Sequence, residues 1–326
     1  MIEIGPEHNI DYRKEILQPL FDKIKSAESS AVIGAASAGK TRLLDFLMRE
    51  DIRQHYLQEA SGGILFLRVD CNRMHEMNDW GFFELLLSVL SLACSQNMKA
   101  TLLRPQVLSL HAQVITERSG LMGLRYFELA VHMLCADNGL NLCILLDEFD
   151  EPYRDLPKNT LANLRAIRDA NKNRLSYHLF LRNLPERLRP PKDCEGFYEL
   201  FSRSALGLGP YNRDDSLVII QQWEARRRYS LTPEQKEWIL AAGRGHPGLM
   251  QALFGVLQDR GYAGCPDLDA LVFQETNVIE ECRKIWEGLL PEEQCCVVDL
   301  YTGKPADPEI LRLLSVRRLI NQEQGK

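Results

Sequence analysis

Apolar and polar positions alternate along the chain with periods that change from block to block. Over residues 12–28, YRKEILQPLFDKIKSAE, apolar groups fall at Ile16, Leu17, Leu20, Phe21 and Ile24, the spacing of one helical face, with Pro19 as a kink or first-turn position. SAVIG (30–34) reads as a short buried strand, followed by a glycine-rich turn and a helix over KTRLLDFLMREDI (40–52). GGILFLRVDCN (62–72) predicts a second strand, and Trp80 to Cys94 a buried helix. YFELAVHMLCADNG (126–139) predicts another helix, closed by Asn138-Gly139. LCILLDEFD (142–150) is a continuous apolar run ending in acids, the pattern of a strand buried on both faces. TLANLRAIRDAN (160–171) is an amphipathic helix, and LSYHLFLRN (175–183) a further strand. Strands and helices in this alternation predict a parallel sheet covered on both faces.

The character changes after about residue 212. DDSLVIIQQWEARRRY, TPEQKEWILAAGRG and HPGLMQALFGVLQDRG carry helical patterns without a convincing strand, and Thr232 with Gln235 forms a capping-box signature. Three more helices are expected in VIEECRKIWEGL, PEEQCCVVDLYTG and DPEILRLLSVRRLI. RLRPPKDCEG (187–196) is the most loop-like segment. These shifts divide the chain into an α/β domain at 1–212, a helical domain at 213–275 and a last helical segment at 276–326.

At 326 residues the chain is long enough for two to three domains, and 45% apolar with 26% charged residues is an ordinary globular balance. A net charge of -6 gives no global attraction to nucleic acid, and Arg226-Arg227-Arg228, the densest basic run, reads as a solvated helix face. The nine cysteines lie mostly in apolar surroundings and include no CxxC pair, which argues against a disulfide framework or a zinc site and for a reducing cytoplasm. MIEIGPEHNIDYRKE lacks an apolar signal core, and the most apolar stretch, WGFFELLLSVLSLAC, carries Glu84 and falls short of the roughly 20 residues of a membrane span. No membrane partner is expected.

Candidate chemistry begins at Gly34–Thr41, GAASAGKT, a full match to G-x-x-x-x-G-K-[ST] between a strand and a helix. Gly34 and Gly39 permit the turn, and Ala35, Ala36, Ser37 and Ala38 keep side chains out of the way of backbone N–H groups that converge on phosphate oxygens. The following helix directs its positive end at the anion, with Arg42 in its opening turn counted among the nucleotide contacts. Lys40 would neutralise the terminal phosphates of ATP or ADP, and the Thr41 hydroxyl would ligate Mg2+. Asp147, at the end of LCILLDEFD, is the second Mg2+ candidate, and Glu148 the base that polarises attacking water; Asp150 and Glu151 read as loop acids.

With these residues, the ordered segments DYRKEI, LFLRN, FYELFSRSALGLGPY, GRGHPGLMQALFGVL and IWEGLLPEEQCCVVDL resemble the STAND class of AAA+-related ATPases, specifically its prokaryotic AAA-like members, from about residue 10 to 320. The resemblance implies a P-loop (ASCE, AAA+-like) α/β domain, a helical lid and a winged-helix-like tail. It also implies that the strand after LCILLDEFD lies between the other two motif-bearing strands. Arg182 would then face the terminal phosphate, or else pair with an acid at the strand's end. Pro247 would abut adenine, with His246 and Gly245 lining the cleft; read from the residues alone, RGHPG is a helix stop before a proline at the next first turn. Related chains continue past the tail with the paired strands of a wing, whereas this one ends at NQEQGK.

Three functions follow. The first is a slowly hydrolysing, ATP-dependent switch whose ATP form favours self-association or a protein partner. A DNA-associated regulator using Arg312, Arg317 and Arg318 is the second, and a nucleotide-binding adaptor with little turnover is the third. Arg165, Arg168, Arg187 and Arg189 are unranked candidates for an arginine acting on a neighbouring subunit's nucleotide.

Overall fold

The computed structural model of the chain describes residues 8–260 and 274–320; Cys265 and the tail NQEQGK lie outside them. Two compact units are present, one of residues 18–33 and 41–206, the other of the described parts of 1–17, 34–40 and 207–326.

In the first unit, β1 (Ser30–Ile33), β2 (Ile64–Asp70), β3 (Asn141–Asp147) and β4 (Leu175–Leu181) form a parallel sheet, with β5 (Ala205–Gly207) added at the edge beside β1. The strand order is β2-β3-β4-β1-β5, so β4 lies between β1 and β3 as expected. Every residue of β1 and β4 is buried. That burial explains why these strands read as unbroken apolar runs rather than alternations: both faces of the sheet are covered.

The helices in chain order are α1 (Lys14–Lys25), α2 (Lys40–Leu47), α3 (Glu50–Leu57), α4 (Asp79–Ser95), α5 (Arg104–Glu117), α6 (Gly120–His132), α7 (Asp150–Asp155) and α8 (Lys158–Ala170). Pro19 sits inside α1, whose Phe21 ring stacks on Tyr56 of α3 at 4.6 Å. One helix was expected over 40–52, but the chain breaks at Arg49, whose extended backbone and ion pair with Asp51 (2.7 Å) start α3 on a new axis. The helix α4 is apolar on nearly all sides because β2, α5 and α6 all pack on it. Its neighbour α5 escapes the sequence pattern, since it buries only Val107, Leu110 and Val114, a narrow stripe. RLRPPKDCEG is less irregular than expected: it holds the end of a helical turn at Pro185–Leu188, a 3-10 turn at Pro191–Asp193 and the start of another at Glu195–Tyr198.

The second unit contains α9 (Arg213–Arg227), α10 (Pro233–Gly243), α11 (Pro247–Arg260), α12 (Thr276–Glu287), α13 (Pro291–Tyr301) and α14 (Pro308–Val316). The Thr232 capping box is present: Gln235 N–H donates to Thr232 Oγ1 at 3.3 Å, and Thr232 N–H to Gln235 Oε1 at 2.9 Å. At the end of α14, Arg317 is buried in an ion pair with Glu293 of α13 and also donates to the Gly288 carbonyl at 3.3 Å. Among the described residues, no helix is long and apolar enough to cross a membrane. The eight described cysteines are free, and burial pushes the thiols of Cys94 and Cys135 up to about 11 and about 12, as expected of small core residues.

Within the sheet, His178 is fully buried, with Nδ1 bonded to Ser30 Oγ at 2.8 Å and Nε2 to Ser176 Oγ at 3.0 Å. Burial lowers its pKa to about 3, whereas an unfolded histidine titrates near 6.5. Between those values the unfolded chain holds the additional proton, so His178 removes about 1.4 kcal/mol of stability for each pH unit lost below 6.5. Urea denaturation should therefore show about 2 kcal/mol lost through this residue between about pH 7 and pH 5. His178→Asn should flatten that part of the dependence. An unchanged slope in the variant would contradict this assignment.

Candidate functional site

Gly34–Lys40 leaves β1 and enters α2, the strand–loop–helix context that the motif requires. Gly39 has φ +91°, a left-handed conformation that only glycine adopts freely, and Ser37 has φ +55°. A methyl group on Gly39 would meet Tyr211 Oη at 3.3 Å, Pro247 Cγ at 3.5 Å and an Arg13 nitrogen at 3.6 Å. Close packing of the chain by itself thus calls for a small residue here. Lys40 is buried and donates from Nζ to the Gly34 carbonyl at 3.0 Å.

Three other segments of the same unit hold this loop. Arg13, 1% exposed and itself left-handed at φ +45°, donates to the Ala38 and Gly209 carbonyls, each at 2.9 Å. Its guanidinium stacks over the Tyr211 ring at 4.2 Å, and Tyr211 Oη lies 3.1 Å from Tyr12 Oη. His246 Nε2 donates to the Ala36 carbonyl at 3.1 Å, while Nδ1 accepts from Leu249 N–H at 3.3 Å, so the ring is the neutral Nε2–H tautomer. Burial lowers the His246 pKa, with the Glu281 carboxylate opposing the shift. Gly248, one residue past Pro247, has no room for a side chain because Ser37 and Glu281 close on it. GRGHPG therefore does two things. It stops α10, with Arg244 and Gly245 left-handed, and it packs His246 and Pro247 on the phosphate-type loop.

The acids lie in the first unit. Asp147 ends β3, is 4% exposed, and accepts from Glu148 N–H at 3.0 Å. Burial raises its pKa, the Glu148 charge raises it further, and Arg68 opposes them from 3.7 Å. Arg68, on β2, also pairs with Asp45 of α2. Glu148 turns out of the strand with φ +51°, an uncommon conformation for a non-glycine residue, and its Oε2 accepts from Arg182 at 2.6 Å. The acid-pairing expectation for Arg182 thus holds, and its partner is the base candidate. Asp150 is more than a loop acid: it opens α7 and accepts the Arg182 and Asn183 N–H groups at 3.0 and 3.2 Å, pinning the end of β4.

The structure brings Gly34–Lys40, His246 and Pro247 together in one unit, and Asp147, Glu148 and Arg182 in the other; Thr41 and Arg42 open α2. Asp147 offers hard oxygen with no cluster of three metal-binding side chains among the described residues. Such a donor set fits Mg2+, which takes one or two protein oxygens and completes its shell with water and phosphate. Arg165, Arg168 and Arg189 are engaged internally, Arg189 through the Tyr153 and Leu156 carbonyls.

No family model matches the chain, and no curated protein matches it in sequence. Solved structures do match. A Walker-type ATPase of Pyrococcus abyssi aligns over 99% of this chain and 94% of its own, at 15% identity and TM-score 0.56. The Aeropyrum pernix ORC2 protein, in its ADP form, aligns over 96% of this chain and 80% of its own, at 15% identity and TM-score 0.56. The chain has the P-loop, AAA+-related fold. A STAND protein with a tetratricopeptide repeat sensor from Pyrococcus horikoshii aligns over 99% of this chain and 41% of its own at 15% identity, but its TM-score of 0.40 is too low to weigh.

Arg68 and Glu281 carried no sequence signal, and Arg13 and Tyr211 only their place in the DYRKEI and LGLGPY segments. Arg13→Met should cost about 2–3 kcal/mol, because it leaves one buried and one part-buried carbonyl without their charged donor. Denaturant titration measures this, and a loss below about 0.5 kcal/mol would show that the loop is held by other contacts.

Proposed function

We propose that the protein binds ATP with Mg2+, hydrolyses it slowly, and uses the ATP and ADP forms as two states of a switch. The observation that carries this reading is a complete GAASAGKT loop after β1, in a sheet where β3 ends in Asp147, Glu148 follows, and β4 lies between β1 and β3. The fold neighbours, one a Walker-type ATPase and one solved in an ADP form, support it at the level of fold.

In this reading Gly34–Lys40 cradle the phosphates, and Lys40 gives up its loop carbonyl to neutralise them. Thr41 and Asp147 hold Mg2+, which when bound offsets the charge on the terminal phosphates. Glu148 orients and polarises water. Its ion pair with Arg182 keeps that carboxylate engaged, which favours slow turnover: the arginine must move towards the terminal phosphate before Glu148 is free. Arg42, His246 and Pro247 complete the nucleotide contacts. A lid at 213–275 and a winged-helix-like segment at 276–326 would follow the ATPase domain at 1–212 and change packing between the two states. The ATP form would favour self-association or a protein partner, in a reducing cytoplasm that suits the free cysteines.

A DNA-associated role loses one of its three supports, since Arg317 is buried against Glu293 and unavailable to phosphate. Glu148→Gln should lower ATP turnover by about 100-fold or more while ATP still binds, and Lys40→Ala should abolish binding. Turnover by Glu148→Gln at the wild-type rate would remove Glu148 from the mechanism; no binding by the wild type would remove the function.

A further inference from the structure

A cavity of about 490 Å³ opens where α3, the turn after it, the start of β2 and the end of α4 meet. It belongs wholly to the first unit. Ile64 at its wall stands opposite Asn141, and Asp70 opposite Asp147, so the cavity lies six residues, about 20 Å, along the sheet from the acidic end. It is therefore distinct from every candidate nucleotide residue.

Ile64, Phe66 and Ala93 are apolar but buried beneath the cavity, and Met98, almost fully exposed at the rim, offers its accessible apolar surface. Arg53 provides the polar anchor. Its guanidinium carbon sits 5.2 Å from the Phe66 ring centre, and its Nε is buried without a hydrogen-bond partner. It forms no ion pair among the described residues, and burial lowers its pKa from the ordinary arginine value. Arginine nonetheless stays charged at neutral pH. The Glu50 carboxylate opposes that shift without reaching a contact ion pair; a half-buried guanidinium held this way is costly, and a planar carboxylate is the group its fork fits best. Glu50, whose Oε1 accepts from Gln54 at 3.1 Å, offsets one of the two positive charges of Arg53 and Lys99. The lining therefore carries one net positive charge, suited to a monoanion rather than a polyphosphate.

Gln58 adds a second, independent sign. It lines the cavity at φ +52° and ψ -127°, a region that non-glycine residues rarely occupy. Strain of this kind collects at ligand-facing positions.

We propose that this cavity binds a small amphipathic monocarboxylate, its carboxylate on Arg53 and its apolar body against Met98 at the rim. The volume lies in the range of small-molecule sites. Phenylacetate and its neutral analogue phenylacetamide are suitable probes, followed by saturation-transfer NMR and calorimetric titration on the full chain without nucleotide. Phenylacetate should bind at least about tenfold more tightly than the amide, and Arg53→Gln should erase that preference. Gly62→Leu is the second variant: Gly62 lines the cavity, a Cβ there meets nothing within 4 Å, and its φ is unstrained. It should keep the fold and block both probes. Equal binding of the two probes, or no phenylacetate binding up to about 10 mM, would overturn the proposal.

Discussion

Backbone pairing of β4 with β1 on one side and β3 on the other decides where the candidate chemistry can stand. Because all three strands run parallel, their carboxyl ends share one edge of the sheet. The loop Gly34–Lys40, the pair Asp147-Glu148 and Arg182 all follow those ends in sequence. Ligands of open parallel sheets bind beyond the carboxyl ends of the strands, where loops rather than ladders satisfy the backbone. A register shift in β4 would displace Arg182 and Asp150 together, since Asp150 holds the Arg182 N–H group.

Charge is handled in three different ways by these residues. Asp147 is buried with a raised pKa, and its nearest described counter-charge is Arg68 at 3.7 Å. Such a carboxylate is poised to gain from a cation. Glu148 is matched instead, by a close ion pair with Arg182. Arg13 works by a third route: its charge is spent on two backbone carbonyls and an aromatic face, so it stiffens a loop rather than neutralising an acid. Each arrangement puts a neighbouring loop or strand end under the control of one arginine.

Much of the fold was legible in the sequence because buried parallel strands are long apolar runs. SAVI, LCILLD and LSYHLFL announce themselves, and with them the loop and acids that follow. Thr232–Gln235 was equally plain, because a capping box is local chemistry. Elements that bury little were missed: α5 shows three buried positions in 14 residues, and β5 has only three residues. Long-range partners were also missed. Nothing near Arg68 reveals Asp45 or Asp147, and nothing near Arg13 reveals the Ala38 carbonyl, because these contacts join residues separated by 23 or more positions. Arg317 shows the opposite error, where a basic residue near the C-terminus reads as a surface contact until its buried partner Glu293 is seen.

Native mass spectrometry of the full chain, first as purified and then with ATP and Mg2+, tests the switch most directly. A switch of this kind carries one nucleotide per chain and converts to a defined larger assembly when ADP is replaced by ATP. A chain that takes up no nucleotide under either condition, and whose mass never changes, would contradict it.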